Sequence, residues 1–284
     1  MQTIKLLFMT SRPISWVNTA YPFVLGYLMM GGGYDARFFI GALFFLIPYN
    51  LLMYGINDVF DYESDILNPR KGSVEGAVTP PKFHLRIILV SVGLCIPFVI
   101  ALVALGNASS VVVLAAILFF VVAYSVKGLR FKEIPFIDSI TSSIHFVGPL
   151  VYAYSLVGAS NAGWLAALAF FFWGIASQAF GAVQDIVPDR KANIKSIGTV
   201  LGAARTVRFA FCMYIIATIL VVSLGGGLAL VVAMTALIYS INIISYLSIS
   251  DKESYLARKG WKRFLSLNYF AGAVITICCL VVMI

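Results

Sequence analysis

Charge is scarce in this sequence. Only 11% of its 284 residues are Asp, Glu, Lys or Arg, whereas 61% are hydrophobic, and so few charges exclude an ordinary soluble domain. Two histidines and four cysteines are present, without a Cys-x-x-Cys or Cys/His spacing that would indicate a zinc site. No segment alternates polar and apolar residues as the strands of a membrane barrel do.

Long apolar runs take the place of charge. A run of about 20 apolar residues can cross a bilayer as a helix, and helices satisfy their own backbone polar groups in lipid. The sequence therefore predicts an all-α polytopic protein, a multi-pass bundle in the lipid bilayer of the cell membrane. We expect about nine transmembrane helices, over residues 14–32, 38–57, 85–105, 109–126, 136–156, 163–183, 207–224, 227–247 and 264–284.

Lys and Arg are distributed unevenly between the loops. Arg37 is the one cation on one side of the predicted bundle, and the other side holds the rest, including Lys5, Arg70 and Lys71. Because cytoplasmic loops carry the excess of Lys and Arg, we expect a cytoplasmic N-terminus and a C-terminus outside. This pattern also accounts for the net charge of +8, so no nucleic-acid partner is expected.

Two acidic motifs end predicted spans on the basic side. N-D-V-F-D-Y-E-S-D at 57–65 follows the second span and Q-D-I-V-P-D-R-K at 184–191 follows the sixth. Spacings of i, i+3, i+7 and of i, i+4 put acids on one helix face. The acids in question are Asp58, Asp61 and Asp65, joined by Asn57, and Asp185 and Asp189. The matched positions favour a single domain over 1–284, built of two pseudo-repeated four-helix units plus a ninth helix.

Five carboxylates at two helix ends need a cation, because like charges repel strongly where the dielectric is low. Oxygen ligands without His or Cys favour Mg²⁺, which usually bridges carboxylates to phosphate. Basic residues accompany the acids: Lys127, Arg130 and Lys132 in Y-S-V-K-G-L-R-F-K, and Arg190 and Lys191. Acids, metal and cations together favour a site for a diphosphate leaving group. The alternative is that these acids are only solvated loop charges.

At this point the motifs resemble those of the UbiA-type intramembrane prenyltransferases, which carry N-D-x-x-D-x-x-x-D, a second D-x-x-x-D and a Tyr-and-basic motif between them. One departure is visible, since Asn193 and Ser196 stand where that family often has Gly and Thr. Asn tolerates the left-handed conformation better than most residues and Ser keeps the hydroxyl, so we expect the turn to survive. Within the family, residues 11–23 and 47–78 look like the lycopene elongases of the C50-carotenoid branch.

The resemblance implies a prenyltransferase that moves an allylic group, from dimethylallyl diphosphate, onto lycopene to give C45 and C50 carotenoids. We expect Mg²⁺ on Asp58, Asp61, Asp65, Asp185 and Asp189, with Lys127 and four of the acids, Asp58, Asp61, Asp185 and Asp189, as the catalytic groups. Candidate substrate-binding residues are Asn57, Arg12, Asn18, Tyr124, Arg130, Lys132, Arg190 and Lys191.

Two alternatives stay open at this point. The same donor chemistry could serve a quinone-ring precursor, haem, chlorophyllide or a glycerol phosphate as acceptor. A divalent-cation transporter would also place acids in a membrane bundle, although transporter sites tend to lie near the midplane, whereas these acids lie at helix ends beside basic residues.

Overall fold

The computed structural model describes residues 2–66 and 78–283, and within them the regular structure is helical throughout. Fourteen α-helices are present in this part of the chain: α1 Gln2–Thr10, α2 Val17–Met29, α3 Ala36–Leu46, α4 Pro48–Phe60, α5 Tyr62–Asp65, α6 His84–Leu105, α7 Ala108–Ser125, α8 Ile137–Val157, α9 Asn161–Val183, α10 Ile186–Lys191, α11 Ile197–Leu201, α12 Ala203–Val222, α13 Gly226–Ile243 and α14 Ala257–Met283. The all-α prediction is confirmed.

Eight segments of the described residues are long and apolar enough to cross a membrane. They are Ala36–Phe60, Pro81–Leu105, Ala108–Ser125, Ile137–Val157, Asn161–Val183, Ala203–Val222, Gly226–Tyr246 and Asp251–Met283. The predicted first span corresponds to α2, which at 13 residues is shorter than these eight. About nine predicted spans therefore agree with the observed helices, and the orientation of the termini stays a prediction.

Proline explains the main difference from the predicted spans. The second span, predicted as one helix over 38–57, is two helices, because Pro48 begins α4 after a break at Ile47. Proline has no N–H and a fixed φ, so it suits the first position of a helix, although Pro22, Pro97 and Pro149 lie inside α2, α6 and α8. Helix α1 was not predicted at all, and α14 begins at Ala257 rather than 264.

The helices group into two compact units. The first comprises Met1–Phe131 and Ile144–Ala159, and the second comprises Lys132–Ser143 and Ser160–Ile284. The predicted arrangement of two four-helix units and a ninth helix stays a prediction. Arg70, Lys71 and the end of the elongase-like stretch fall within 67–77, outside the described residues.

Aromatic rings fill the core of the first unit. Phe23 of α2 lies 5.3 Å from Phe45 of α3 and 6.1 Å from Tyr152 of α8, measured between ring centroids. A side chain at Gly26 would collide with Leu150, so glycine lets α2 approach α8 closely. This packing fixes the helices beside α4, which carries the first acidic motif.

The second unit is built in the same way around α9, α12, α13 and α14. Tyr239 stacks on Tyr214 at 5.6 Å, and Trp261 stacks on Phe264 at 4.8 Å. The Asn242 amide donates to the Gly260 carbonyl at 3.0 Å, which ties α13 to α14. The carboxyl end of α9, where the second acidic motif begins, is held in this core.

Candidate active site

The first acidic motif lies where α4 ends. Asn57 and Asp58 occupy the last turn, Asp61 caps the helix, and Asp65 ends α5. The N–H of Asp61 donates to the Asn57 carbonyl at 2.9 Å, and that of Asp65 to the Asp61 carbonyl at 2.8 Å. The helical spacing therefore continues through the break at Asp61. Asp58, Asp61 and Asp65 are 1%, 5% and 7% exposed, and buried carboxylates require charged or hydrogen-bonding partners.

Arg12 is the partner of Asp58. Its Nη2 lies 2.8 Å from Asp58 Oδ1, and the Asp58 side chain is fully buried. The guanidinium also lies 4.2 Å above the centroid of the Tyr54 ring, a cation–π geometry. Burial alone lowers the pKa of Arg12, but the Asp58 carboxylate outweighs this and the pKa of Arg12 is raised. The predicted substrate-binding Arg12 therefore lies at the motif, paired with its first acid.

Asp61 is held from two directions. The Asn57 amide donates to Asp61 Oδ2 at 2.7 Å and also reaches the Ser125 hydroxyl of α7 at 3.2 Å. Arg130 Nη2 lies 3.8 Å from Asp61 Oδ1, and its Nη1 donates to the Phe60 carbonyl. Two of the predicted site residues, Asn57 and Arg130, thus meet the second acid of the motif.

Both arginines have a left-handed backbone. The φ angle is 49° at Arg12 and 39° at Arg130. Residues other than glycine seldom adopt this region, and strained conformations of this kind cost on the order of 1–3 kcal/mol each. Such strain persists only where the surroundings fix the residue, and it tends to cluster at functional sites.

An aromatic pair lies next to this cluster within the first unit. Tyr124, which precedes Ser125 on α7, meets His145 of α8 edge to face at 5.1 Å between ring centroids. The Tyr49 hydroxyl of α4 donates to the His145 carbonyl at 3.2 Å. Tyr124, predicted from the sequence as a site residue, therefore stands between the first motif and a buried histidine.

The second motif belongs to the second unit. Asp185 precedes α10 as its N-cap residue and Asp189 lies within that helix, both of them half-buried. The Asp189 N–H donates to the Asp185 carbonyl at 2.8 Å, so the two acids are one helical turn apart as predicted.

The turn after the second motif contains the two residues that depart from the family pattern. Asn193 has a φ of 56°, the left-handed conformation expected of a residue at a glycine position. Ser196 caps α11, accepting from the N–H of Thr199 while Thr199 accepts from the N–H of Ser196. Asn193 therefore has the expected left-handed backbone and Ser196 uses its hydroxyl, while the match of this turn to that of the family stays a prediction.

Asp138, which sequence reasoning missed, anchors the same turn. It is 1% exposed and accepts from the N–H of Ile197 at 2.8 Å and from that of Ser139 at 2.7 Å. A lone acid at the start of an apolar helix was the available signal. The structure makes Asp138 a support for the loop that follows Asp189.

The other predicted site residues have different surroundings. Arg190 pairs with Asp251 at 2.6 Å and donates to the Thr199 carbonyl at 3.0 Å. Lys127 and Lys191 are exposed, and Lys132 is half-buried in the second unit. Asn18 is half-buried on α2, whereas the polar contact between helices there is made by its neighbour Thr19, which accepts from the Asn50 amide at 2.6 Å.

The donor set fits magnesium. Among residues 2–66 and 78–283, no three His, Cys, Asp or Glu side chains stand close enough to form a metal cage. Mg²⁺ seldom uses such a cage and commonly takes one or two carboxylates together with water and substrate phosphate. Buried Asp58 and Asp61 offer hard oxygen ligands of this kind, and Arg12 and Arg130 lie beside them.

The fold and the first motif together define a class of protein: a polytopic helical membrane protein with buried carboxylates and arginines at a helix end. The UbiA prenyltransferase family matches residues 19–280. The chain therefore belongs to the UbiA prenyltransferase family and is a prenyltransferase.

Two curated relatives show which members of the family this chain resembles. The chain is 48% identical to a lycopene elongase/hydratase of Corynebacterium glutamicum, over 98% of this chain and 97% of that protein. It is 49% identical to a C50 β-cyclic carotenoid biosynthesis protein of Dietzia sp., over 96% of this chain, and spans 64% of that protein's length. A UbiA homologue from Archaeoglobus fulgidus, solved with DMAPP and Mg²⁺, has a similar fold, with a TM-score of 0.69. The two sequences are 19% identical, and the match covers 94% of this chain and 99% of that one.

Proposed function

We propose that the protein transfers a prenyl group in a Mg²⁺-dependent reaction from an allylic diphosphate, dimethylallyl diphosphate, to lycopene, giving C45 and C50 carotenoids. The observation that carries the proposal is the first motif, in which Arg12 and Arg130 flank the buried Asp58 and Asp61. The acceptor is proposed from the 48% identity to the Corynebacterium lycopene elongase/hydratase. The donor and the metal are proposed from the ligands of the Archaeoglobus homologue.

The acids of both motifs are proposed to serve the metal, and each ion would take one or two of these carboxylates together with water and phosphate oxygens. The acids are Asp58, Asp61, Asp65, Asp185 and Asp189. When bound, Mg²⁺ supplies positive charge that stabilises the diphosphate as it leaves. Asn57, fixed between Asp61 and Ser125, orients an oxygen of this group. Arg12 and Arg130 face the phosphate oxygens, because planar guanidinium groups match phosphate geometry.

The other predicted cations act at the edges of this site. Lys127 and Lys191 are exposed long side chains that can reach toward the leaving group, where developing negative charge gains most from fixed cations. Lys132 adds to this charge. Arg190 is already paired with Asp251, so we assign it the positioning of the loop after the second motif.

The chemistry requires that the C–O bond of the donor break with both electrons passing to the diphosphate. A carbon–carbon double bond of lycopene then attacks the allylic cation, which leaves a tertiary cation on the acceptor. Tyr124, which is half-buried, offers an aromatic face that can attract a cation, and Asn18 on α2 is proposed at the substrate-binding wall. The second prenyl group is added at the other end of the acceptor in a repeat of the same steps.

Lycopene would enter from the bilayer. A C40 hydrocarbon has almost no aqueous concentration, since each buried CH₂ favours the apolar phase by about 0.8 kcal/mol. The proposed location is therefore the cell membrane, with the diphosphate taken from the cytoplasm.

The test is pigment analysis in a lycopene-producing host with and without this gene. C45 and C50 carotenoids are expected. Asp61→Asn should lower their formation by at least about 100-fold, on the scale of losing an electrostatic catalytic group. Glu63→Gln is the matched control, because Glu63 is an exposed acid two residues away and should leave the yield unchanged.

Two outcomes would change the assignment. Unchanged lycopene beside active, folded protein would remove this acceptor and direct the search to quinone-ring, haem, chlorophyllide or glycerol-phosphate acceptors. Normal turnover in Asp61→Asn would contradict the metal site itself. Divalent-cation transport is not retained, since the chain belongs to an enzyme family.

A further inference from the structure

His145 has an environment that packing alone does not explain. Its side chain is 3% exposed on α8. The imidazole lies within hydrogen-bonding reach of the Phe120 main chain on α7, and its Nε2 atom is buried without a hydrogen-bond partner. A histidine retained only for packing would leave a polar nitrogen unsatisfied at a cost in free energy, which an apolar residue would avoid.

The neutral imidazole can take up a proton on the ring nitrogen that carries its lone pair. In the tautomer that donates from Nδ1 to the Phe120 carbonyl, this lone pair lies on Nε2, where no protein group competes for it. The Tyr124 ring fixes the orientation of the imidazole by meeting it edge to face at 5.1 Å.

The helix register places this nitrogen near the proposed donor site. Ser125 of α7 contacts Asn57, and Phe120 precedes Ser125 by five residues. At 1.5 Å per residue, the two differ in height along α7 by about 7.5 Å. The imidazole, in contact with Phe120 and Tyr124, thus lies about one to one and a half turns deeper than the residues that would hold the diphosphate, on the side toward which the prenyl chain must point.

We propose that His145 is a catalytic base that accepts the proton released when the product cation is quenched, an inference that rests on the proposed function. After the new carbon–carbon bond forms, the acceptor holds a tertiary cation and the diphosphate has left with its electron pair. Either a neighbouring C–H bond breaks to form an alkene, or a water oxygen adds and loses a proton. Each route releases one H⁺, which Nε2 binds to give an imidazolium.

The experiment uses the full-length enzyme in membranes of the lycopene-producing host and in detergent. His145→Ala should reduce turnover by about 100-fold or more, the scale of a lost general base, with the KM for the donor close to that of wild type. The cavity left should admit imidazole, which restores turnover. Pyrazole has the same shape and is a far weaker base, so it should not restore activity.

His84 provides a matched control. It meets Tyr62 edge to face at 5.1 Å between ring centroids, nearly as His145 meets Tyr124, but its Nε2 is bonded to the Thr79 carbonyl. His84→Ala should keep its turnover and show no response to imidazole. His145→Gln can retain the bond to Phe120 and serves if the alanine variant does not fold; it should show the same loss and a changed ratio of hydrated to unhydrated products.

Three results would overturn the assignment. These are normal turnover with an unchanged product ratio in folded His145→Gln, equal recovery with imidazole and pyrazole, or recovery of His84→Ala by imidazole. If the wild-type enzyme makes no C45 or C50 product, the proposed function itself is wrong. The wild-type control shows this independently of any result at His145.

Discussion

Removing Arg12 should destabilise the protein far more than removing an arginine from an exposed ion pair. In Arg12→Gln the Asp58 carboxylate, fully buried and 2.8 Å from the guanidinium, loses its charged partner. Leaving a buried charge uncompensated costs about 3–5 kcal/mol. At a few degrees per kcal/mol for a chain of this size, the midpoint of thermal unfolding should fall by roughly 10 °C.

The control is Arg37→Gln. Arg37 also forms a short ion pair, 2.6 Å from Asp35, but the two side chains are 39% and 38% exposed. Exposed pairs contribute about 0–1 kcal/mol, so this variant should unfold within about 3 °C of wild type. Thermal unfolding of both purified variants in the same detergent, followed by tryptophan fluorescence, makes the comparison without any activity assay.

A second arm of the experiment tests the proposed metal site. If Asp58 binds Mg²⁺ together with diphosphate, adding both should stabilise Arg12→Gln. A ligand at 100 times its Kd adds about 2.7 kcal/mol of stability. Equal unfolding midpoints for Arg12→Gln and Arg37→Gln would refute the reasoning about the buried pair. A large loss of stability in Arg12→Gln would support that reasoning, whereas the absence of any response to Mg²⁺ and diphosphate in both wild type and Arg12→Gln would count against Asp58 as a ligand.

Further predictions concern the second unit and the metal. Asn193→Gly should be tolerated and Asn193→Val should lower stability by roughly 1–2 kcal/mol, because a φ of 56° disfavours a β-branched residue; chemical denaturation would measure both. Asp138→Ala should cost about 1–3 kcal/mol, since it orphans the buried Ile197 N–H, and faster proteolysis of the 192–196 loop would report it. Gly174→Val should prevent assembly of the fold, because an added Cβ would meet Ser143, and size-exclusion chromatography would reveal aggregation. Chelation by EDTA should abolish prenyl transfer while circular dichroism keeps its helical signal.

Hydropathy predicted most of the fold because a membrane helix depends on a local property, the length of an apolar run. The expected spans at 85–105 and 109–126 agree with α6 and α7 to within one residue. Helix α1 was not predicted because its nine residues are too few to form a membrane span. The division of the second span at Pro48 follows from local chemistry, and a proline-based reading of the sequence would have found it.

Spacing along the sequence predicted the acids of the first motif. Arg12 and Arg130 were also predicted as substrate-binding residues, but their pairing with individual acids was not. Asp58 and Asp61 lie three residues apart at the end of α4, so the helical spacing alone predicted that they share one location. The Arg12–Asp58 pair joins residues 46 positions apart, and no spacing rule reaches across that distance. The same holds for Asp138 with Ile197, 59 positions apart, since such contacts depend on how helices pack.

The contacts of the first motif also bear on why a metal would be needed. Arg12 and Arg130 oppose three buried acids, and arginine stays protonated across the physiological pH range. Most of the carboxylate charge is therefore balanced by the protein itself, unlike in small zinc domains, which fold only when metal neutralises their ligands. A divalent ion entering this cluster would come with its own negative partner, the diphosphate, and the arginines would then have phosphate oxygens as well as carboxylates to face. We therefore expect the proposed need for a metal to arise from the chemistry of the leaving group rather than from the stability of the fold.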